Sequence, residues 1–121
     1  MLKIKEELAD FISALSASEE VIRYKKACEQ LRAFPEKEKR VHEFRQKNYL
    51  LQNTKENKDL FVEIDRLEKE YSDLYSCPVS AEFLAAELAI CRIVQQVNLE
   101  MINCIEFESV LVDDEGIGDD Q

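Results

Sequence analysis

The chain has 121 residues, 45% hydrophobic and 35% charged, with a formal net charge of −10 at pH 7. Its length and hydrophobic content support one small domain with a modest core. Because only two glycines and two prolines are present, the composition favours long helices and excludes the turn-rich profile of a β-sandwich or barrel.

The N-terminal residues include the charged Lys3, Lys5, Glu6 and Glu7, which interrupt any apolar run that could act as a secretion signal. No stretch approaches the roughly 18 consecutive apolar residues of a membrane span. We therefore expect a cytoplasmic protein that does not insert into a membrane.

The negative charge is concentrated at the C-terminus. Residues 106–121 hold seven acids and no Lys or Arg, which leaves 19 of the 26 acids against all 16 bases in residues 1–105. We predict a single helical domain over residues 1–105 and an acidic, flexible tail over residues 106–121, with a docking segment for a basic partner as the alternative to a solvated end.

Two amphipathic helices are predicted first. Residues 2–15 carry one apolar stripe at helical spacing, and the next helix begins at a capping box formed by Ser16 and Glu19. Its apolar residues follow at spacings of 3, 4 and 3, a seam that packs on a neighbouring helix. The stripe of the first helix is Ile4, Leu8, Phe11, Ile12 and Leu15, and the seam of the second is Val21, Tyr24, Cys28 and Leu31.

The second helix is predicted to end at a tight corner. Pro35 disfavours α geometry at Phe34 and suits the first turn of a third helix, which we predict from Pro35 to Gln52. The polar Asn48 falls in its seam, either as a determinant of register or simply on a partly exposed face. The seam consists of Val41, Phe44, Asn48 and Leu51.

A fourth helix with a regular seam is predicted after a loop. Residues 53–57 lose the apolar period, and Asn57 is a candidate cap for the helix that follows. The opposite face of this helix alternates in charge, with pairs such as Asp65 and Lys69. Its seam is Leu60, Ile64, Leu67, Tyr71 and Leu74.

The fifth helix, predicted from Ala81 to Ile105 with Ser80 as its cap, has apolar residues on more than one stripe. A small bundle within one chain cannot cover such a helix on all sides, and a large exposed apolar face is a binding surface. We therefore predict self-association, most simply a two-fold dimer. The predicted interface residues are Phe83, Leu84, Leu88, Cys91, Val94, Val97, Met101 and Ile105.

Together these patterns predict an all-α fold: an oligomeric bundle of about five antiparallel helices, long and joined by short connections. Apolar and polar residues alternate only in part over residues 105–112. The pattern is therefore compatible with a short strand, a helix extension or an extended docking motif. We favour irregular structure there, anchored by Phe107 or Leu111.

The cysteines do not predict a metal site or cofactor within one chain. Cys91 and Cys104 are 13 residues apart on one helix, about 20 Å along the axis and roughly 140° around it. We predict Cys28, Cys91 and Cys104 to be small buried hydrophobes, and Cys77, at the end of the fourth helix, to be the exposed thiol. A metal or cluster held by cysteines of different subunits is an alternative that the sequence leaves open.

No group of residues predicts catalysis. The single histidine, His42, has no nucleophile beside it in any motif, and there is no glycine-rich phosphate loop. The sequence therefore predicts a non-enzymatic protein.

The densest basic stretch lies on the third helix, where three glutamates dilute it. A mixed helix surface is the simpler interpretation, and a phosphate-binding patch is the alternative. The alternative function is an RNA-contacting accessory protein, with no direct DNA binding expected. The residues concerned are Lys37, Lys39, Arg40, Arg45 and Lys47.

Three segments of the sequence resemble the bacterial YlbF/YmcA/YheA group. They are residues 19–27, the Phe34–Pro35 corner with the helix that it opens, and residues 78–87, which begin Pro-Val and continue into Phe-Leu-Ala-Ala-Glu. The resemblance covers about residues 5–105. It implies a small helical cytoplasmic protein that forms homo- or hetero-oligomers.

The resemblance also implies a regulatory role in competence, sporulation and biofilm development, linked to a complex that steers an RNA-processing endonuclease. The partners it implies are further copies of the chain, other family members or that complex. The YlbF branch resembles an iron–sulfur protein through a cysteine-rich C-terminal extension. This chain has no cysteine after Cys104, so that role is not carried over.

Overall fold

The computed structural model of the protein describes residues 1–53 and 59–105. The regular structure of these residues is entirely helical, which confirms the predicted all-α class. The predicted cap Asn57, the anchors Phe107 and Leu111 and the tail lie outside the described residues. The helices are α1 (Leu2–Ser16), α2 (Glu19–Arg32), α3 (Pro35–Gln52), α4 (Leu60–Glu70), α5 (Asp73–Ser76) and α6 (Pro78–Ile105).

The chain divides into two compact units, Met1–Glu87 and Leu88–Gln121, and the boundary falls within α6. The first unit contains the hydrophobic core. Within the described residues, no helix combines the length and the apolar character that a membrane crossing requires.

The core is formed by α2, α3, α4, α5 and the first turns of α6. α3 packs against both α2 and α4. Of the thirteen seam residues predicted for the second, third and fourth helices, six are buried and seven are partly buried, because the 3-4 pattern places them on one side of each helix. The core residues are Ala27, Leu31, Val41, Phe44, Leu67, Tyr71, Leu74, Phe83 and Ala86.

The turn between α1 and α2 is capped differently from the prediction. The Ser18 hydroxyl, not that of Ser16, accepts from the Val21 backbone N–H at 3.3 Å and donates to the Leu15 carbonyl oxygen at 2.6 Å. Ser18 has the extended backbone of an N-cap residue, whereas Ser16 is still helical. The corner at Phe34 and Pro35 is as predicted, and α3 has the predicted bounds.

The prediction of one continuous fourth helix is wrong, because the helix breaks after Glu70. The Leu74 N–H donates to the Tyr71 carbonyl oxygen rather than to that of Glu70. Arg40 of α3 instead donates to the Glu70 carbonyl oxygen at 2.8 Å. A distant side chain thus satisfies the carbonyl that the break leaves free, so the described residues contain six helices where about five were predicted.

The start of α6 also differs from the prediction. The helix begins at Pro78, and Ser80 lies inside its first turn rather than at the cap. The Ser80 side chain is fully buried, and its hydroxyl donates to the Leu74 carbonyl oxygen at 2.5 Å. Pro78 stands four residues after Leu74 and has no N–H to donate, so the hydroxyl replaces the missing helix bond.

Candidate interaction surface

The first turns of α6 are fixed against the core of their own unit. Phe83 and Ala86 are buried, and Leu84 packs against the core. The Phe83 and Tyr24 rings lie 5.7 Å apart between centroids, a distance at which aromatic pairs add stability beyond their burial. Phe83 and Leu84, both predicted as interface residues, therefore contact the interior of their own chain.

Two ion pairs orient the same turns. Arg23 donates two hydrogen bonds to the Glu82 carboxylate, at 2.6 and 2.9 Å, and Arg45 pairs with Glu87 at 2.6 Å. The Arg23 hydrogen bonds hold the pKa of the Glu82 carboxyl below its usual range. Exposed pairs contribute little to stability, but paired geometry of this kind restricts how these first turns sit on α2 and α3.

The character of α6 changes at Leu88. From Leu88 to Ile105 no residue is buried. Leu88, Val94, Met101 and Ile105 are each more than half exposed, and Cys91 is exposed as well, whereas Val97 is partly covered. Apart from Val97, these predicted interface residues form an exposed surface in the second unit.

Sequence reasoning missed Leu99, which is also about half exposed. It lies 11 residues after Leu88, a separation that returns to nearly the same side of a helix. The spacing was readable in the sequence, and a prediction based on it would have included this residue. We call Leu88, Cys91, Val94, Leu99, Met101 and Ile105 the α6 face.

Three of the five basic residues predicted for a phosphate patch are engaged within the first unit. Arg40 donates to both carboxylate oxygens of Asp73 at 2.7 Å, and this contact holds the pKa of the Asp73 carboxyl below its usual range. Arg45 pairs with Glu87, and Lys47 with Glu70 at 3.5 Å. Basic side chains that are paired with carboxylates attract phosphate less strongly. The alternative function, contact with RNA, stays a prediction from the sequence.

Comparison with known families decides where this chain belongs. Residues 4–106 match the family described as control of competence regulator ComK, YlbF/YmcA. The chain is a member of the YlbF/YmcA family. The description names a control function rather than a reaction, and it agrees with the resemblance of the three segments. No curated protein and no solved structure matches the chain.

The cysteines of this YlbF/YmcA protein are placed differently from the prediction. Cys91 and Cys104 are exposed rather than buried, because they lie on α6 beyond Glu87. Cys28 is partly buried against the core, and Cys77 is only partly exposed. Within residues 1–53 and 59–105, no three His, Cys, Asp or Glu side chains come together as metal ligands.

A small cleft of about 190 Å³ between α2 and α3 has both Cys28 and His42 in its lining. The Cys28 thiol is hydrogen-bonded to Tyr24. Burial is the largest cause of the raised pKa of Tyr24, and this hydrogen bond is the second. In the part of the chain that the structure describes, Cys28 and His42 are not hydrogen-bonded to each other as a nucleophile and its base would be.

Cys77 is the C-cap residue of α5, a helix C-terminus as the sequence suggested, and it also directly precedes the N-terminus of α6. Backbone N–H groups of Ser80 and then Val79 donate to the sulfur, with Lys37 nearby, and they lower the pKa of Cys77 to about 7. Helix N-termini stabilise thiolates in this way.

We expect iodoacetamide to alkylate Cys77 with a rate that reaches half its maximum at about pH 7, because the thiolate is the reacting form. In the urea-unfolded chain the midpoint should move up to about pH 8.5, the value for a free cysteine. Peptide mass spectrometry at several pH values measures both. Equal midpoints in the folded and unfolded chains would contradict the assigned role of the helix N-terminus.

Proposed function

We propose that this protein is a non-enzymatic regulator that acts through contacts between proteins, and that the α6 face is its self-association surface. The observation that supports this proposal most directly is the exposure of large apolar side chains along the helix from Leu88 to Ile105. Exposed apolar patches of a few hundred Å² on a soluble protein mark interaction sites.

Family membership supports the regulatory part of the proposal, since the family description concerns control of competence regulator ComK. We propose that the chain works in the cytoplasm as an antiparallel helical bundle in a homo-oligomer, most simply a dimer. Its further partners are other family members or an RNA-processing complex.

The physical basis is the transfer of apolar surface out of water. Burying one Leu, Val or Met side chain contributes about 1.5–3 kcal/mol, and each residue of a two-fold interface is buried twice. Association costs about 4–15 kcal/mol in lost translational and rotational freedom. A half-exposed side chain contributes about half of that value, so the α6 face supplies part of the free energy that offsets this cost.

Size-exclusion chromatography with light scattering tests the proposal. The unmutated chain should elute at about twice its mass of 14.1 kDa, and Leu88→Asp and Val94→Asp should each shift it to the monomer mass. A buried unpaired carboxylate opposes association strongly. Circular dichroism should show unchanged helix content, because neither side chain belongs to the core.

Glu100→Lys is the matched control. Glu100 is exposed on the same helix, six residues after Val94 and twelve after Leu88, and so about 120° around the helix from both and outside the α6 face. This variant changes a charge on the same helix and should remain dimeric. A monomeric unmutated chain, or dimeric Leu88→Asp and Val94→Asp chains, would overturn the proposed self-association surface.

A further inference from the structure

The apolar stripe of α1 is a second surface without cover. α1 has no buried residue. Ile4, Leu8, Phe11 and Ile12, which sequence spacing placed on one stripe, are all exposed. A stripe of this kind normally packs on a core, and the described residues of its own chain do not provide that packing.

The area of the α6 face is too small for a stable dimer alone. A half-exposed large apolar residue offers on the order of 100 Å², so the five large residues of the face offer about 500 Å². A specific interface needs about 800 Å² from each partner. The exposed side chains of α1 offer a similar additional area, and the two surfaces together reach the required size.

The charges that border the two surfaces are opposite in sign. Arg92 lies four residues after Leu88, in the helix row beside the α6 face, and it forms no ion pair with another described residue. Glu7 lies between Ile4 and Phe11 at spacings of three and four, so it borders the α1 stripe. Its only recorded ion pair among the described residues is an exposed contact with Lys3 at 3.4 Å.

We propose that α1 of one copy packs on the α6 face of a second copy, with Glu7 beside Arg92 across the contact, and that the exchange is reciprocal. Two equal contacts related by a two-fold axis then cover all four exposed surfaces of the dimer. Opposite charges at positions bordering an apolar seam determine which helices pair. The inference rests on the proposed self-association and adds the segment of the second copy that covers the α6 face.

The first experiment removes the α1 stripe. Leu8→Asp and Phe11→Asp should each weaken dimerisation at least ~100-fold by sedimentation equilibrium, because a loss of about tenfold per buried side chain occurs twice in the dimer. Ser13→Asp is the matched control, since Ser13 is exposed and lies two residues after Phe11, roughly 160° around the helix. It should dimerise as the unmutated chain does.

The pattern of results separates this inference from the proposed function. If the α6 variants are monomeric while Leu8→Asp and Phe11→Asp dimerise normally, the proposed function stands and the role of α1 is overturned. If α1 variants dissociate and α6 variants do not, the α6 face itself is excluded. Phe107→Asp and Leu111→Asp test the C-terminal segment as the occupant, and dissociation by these instead of the α1 variants would also overturn the inference.

A charge exchange tests the pairing of Glu7 with Arg92. Glu7→Arg and Arg92→Glu should each weaken the dimer several-fold, and the double variant should recover most of the loss. Glu6→Arg is the control, since Glu6 is exposed and lies about 160° from Ile4 around the helix. If the dimer of the double variant is weakened by as much as the two single losses combined, the pairing is overturned.

Cross-linking identifies which helices meet. The variant for this experiment carries Ile12→Cys and keeps Cys91, and its other three cysteines are changed to Ser. Under mild oxidation it should form a disulfide between residue 12 of one copy and Cys91 of the other. Copies of two sizes, made with and without a tag, distinguish links between chains from links within one chain. Links only between two Cys91 residues, or only within one chain, would contradict the reciprocal contact of α1 with α6.

Discussion

Leu74→Ala should lower the free energy of unfolding by about 2–5 kcal/mol, the range for removing a fully buried leucine side chain. Leu74 is 2% exposed and belongs to the core of the first unit. Small domains have only about 5–15 kcal/mol of stability in total. The variant should therefore be partly unfolded or much less resistant to urea, measured by circular dichroism at one fixed protein concentration.

Leu88→Ala is the matched control for this prediction, because it removes the same atoms from a leucine that is 51% exposed. Surface substitutions usually change the free energy of unfolding by no more than about 0.5 kcal/mol. The comparison must be made at a concentration where the monomer dominates, since association adds to apparent stability. Equal losses in the two variants would mean that Leu74 is not a core residue.

Ser80→Ala should lower the free energy of unfolding by about 1–3 kcal/mol, the cost of leaving a buried carbonyl oxygen without a donor. The Ser80 hydroxyl donates to the Leu74 carbonyl oxygen and lies 3.3 Å from that of Cys77. The apolar replacement fits the space but cannot donate a hydrogen bond. Urea unfolding checks the loss, and α6 should fray at its first turn in hydrogen exchange.

Ser76→Ala provides the control for the loss of a serine hydroxyl. Ser76 is exposed, and among the described residues its hydroxyl makes only a long contact of 3.5 Å with the Ser72 carbonyl oxygen. Its removal should change stability by less than about 0.5 kcal/mol. A Ser80→Ala loss no larger than that of Ser76→Ala would show that water replaces the hydroxyl at Leu74.

Both predictions concern the junction from which α6 departs. Leu74 and Ser80 hold α5 and the first turn of α6 together, and Phe83 extends the same packing into the core. If self-association uses the α6 face, this junction fixes the start of the helix that carries it. Variants of the junction should then weaken the dimer indirectly, with a loss of stability that the α6 face variants do not show.

Local patterns predicted much of the helical framework. Pro35 marks a helix start through its own backbone geometry, so the bounds of α3 are confirmed. Helical spacing places Val41 and Phe44 on one side of α3, and both are buried. The family resemblance likewise depended on short motifs and is confirmed by the family match over residues 4–106.

The break after Glu70 could not be predicted in the same way. The seam continues without interruption through Leu67, Tyr71 and Leu74, so the pattern favours one helix. The hydrogen bond from Arg40 to the Glu70 carbonyl oxygen joins residues 30 positions apart. The local sequence around Glu70 therefore does not indicate it. The burial of Ser80 was missed for a related reason, since a serine before an apolar run usually caps a helix.

The sequence by itself determined that this is a helical protein with apolar sides on α1 and α6, because the periodicity of apolar residues is a local property. Only the tertiary structure decided which of those sides are covered. It buries part of the seams of α2 and α3 and part of the first turns of α6, and it leaves Leu8 on α1 and Val94 on α6 exposed. Burial depends on residues that are distant in the chain, and spacing along one helix cannot show whether they are there.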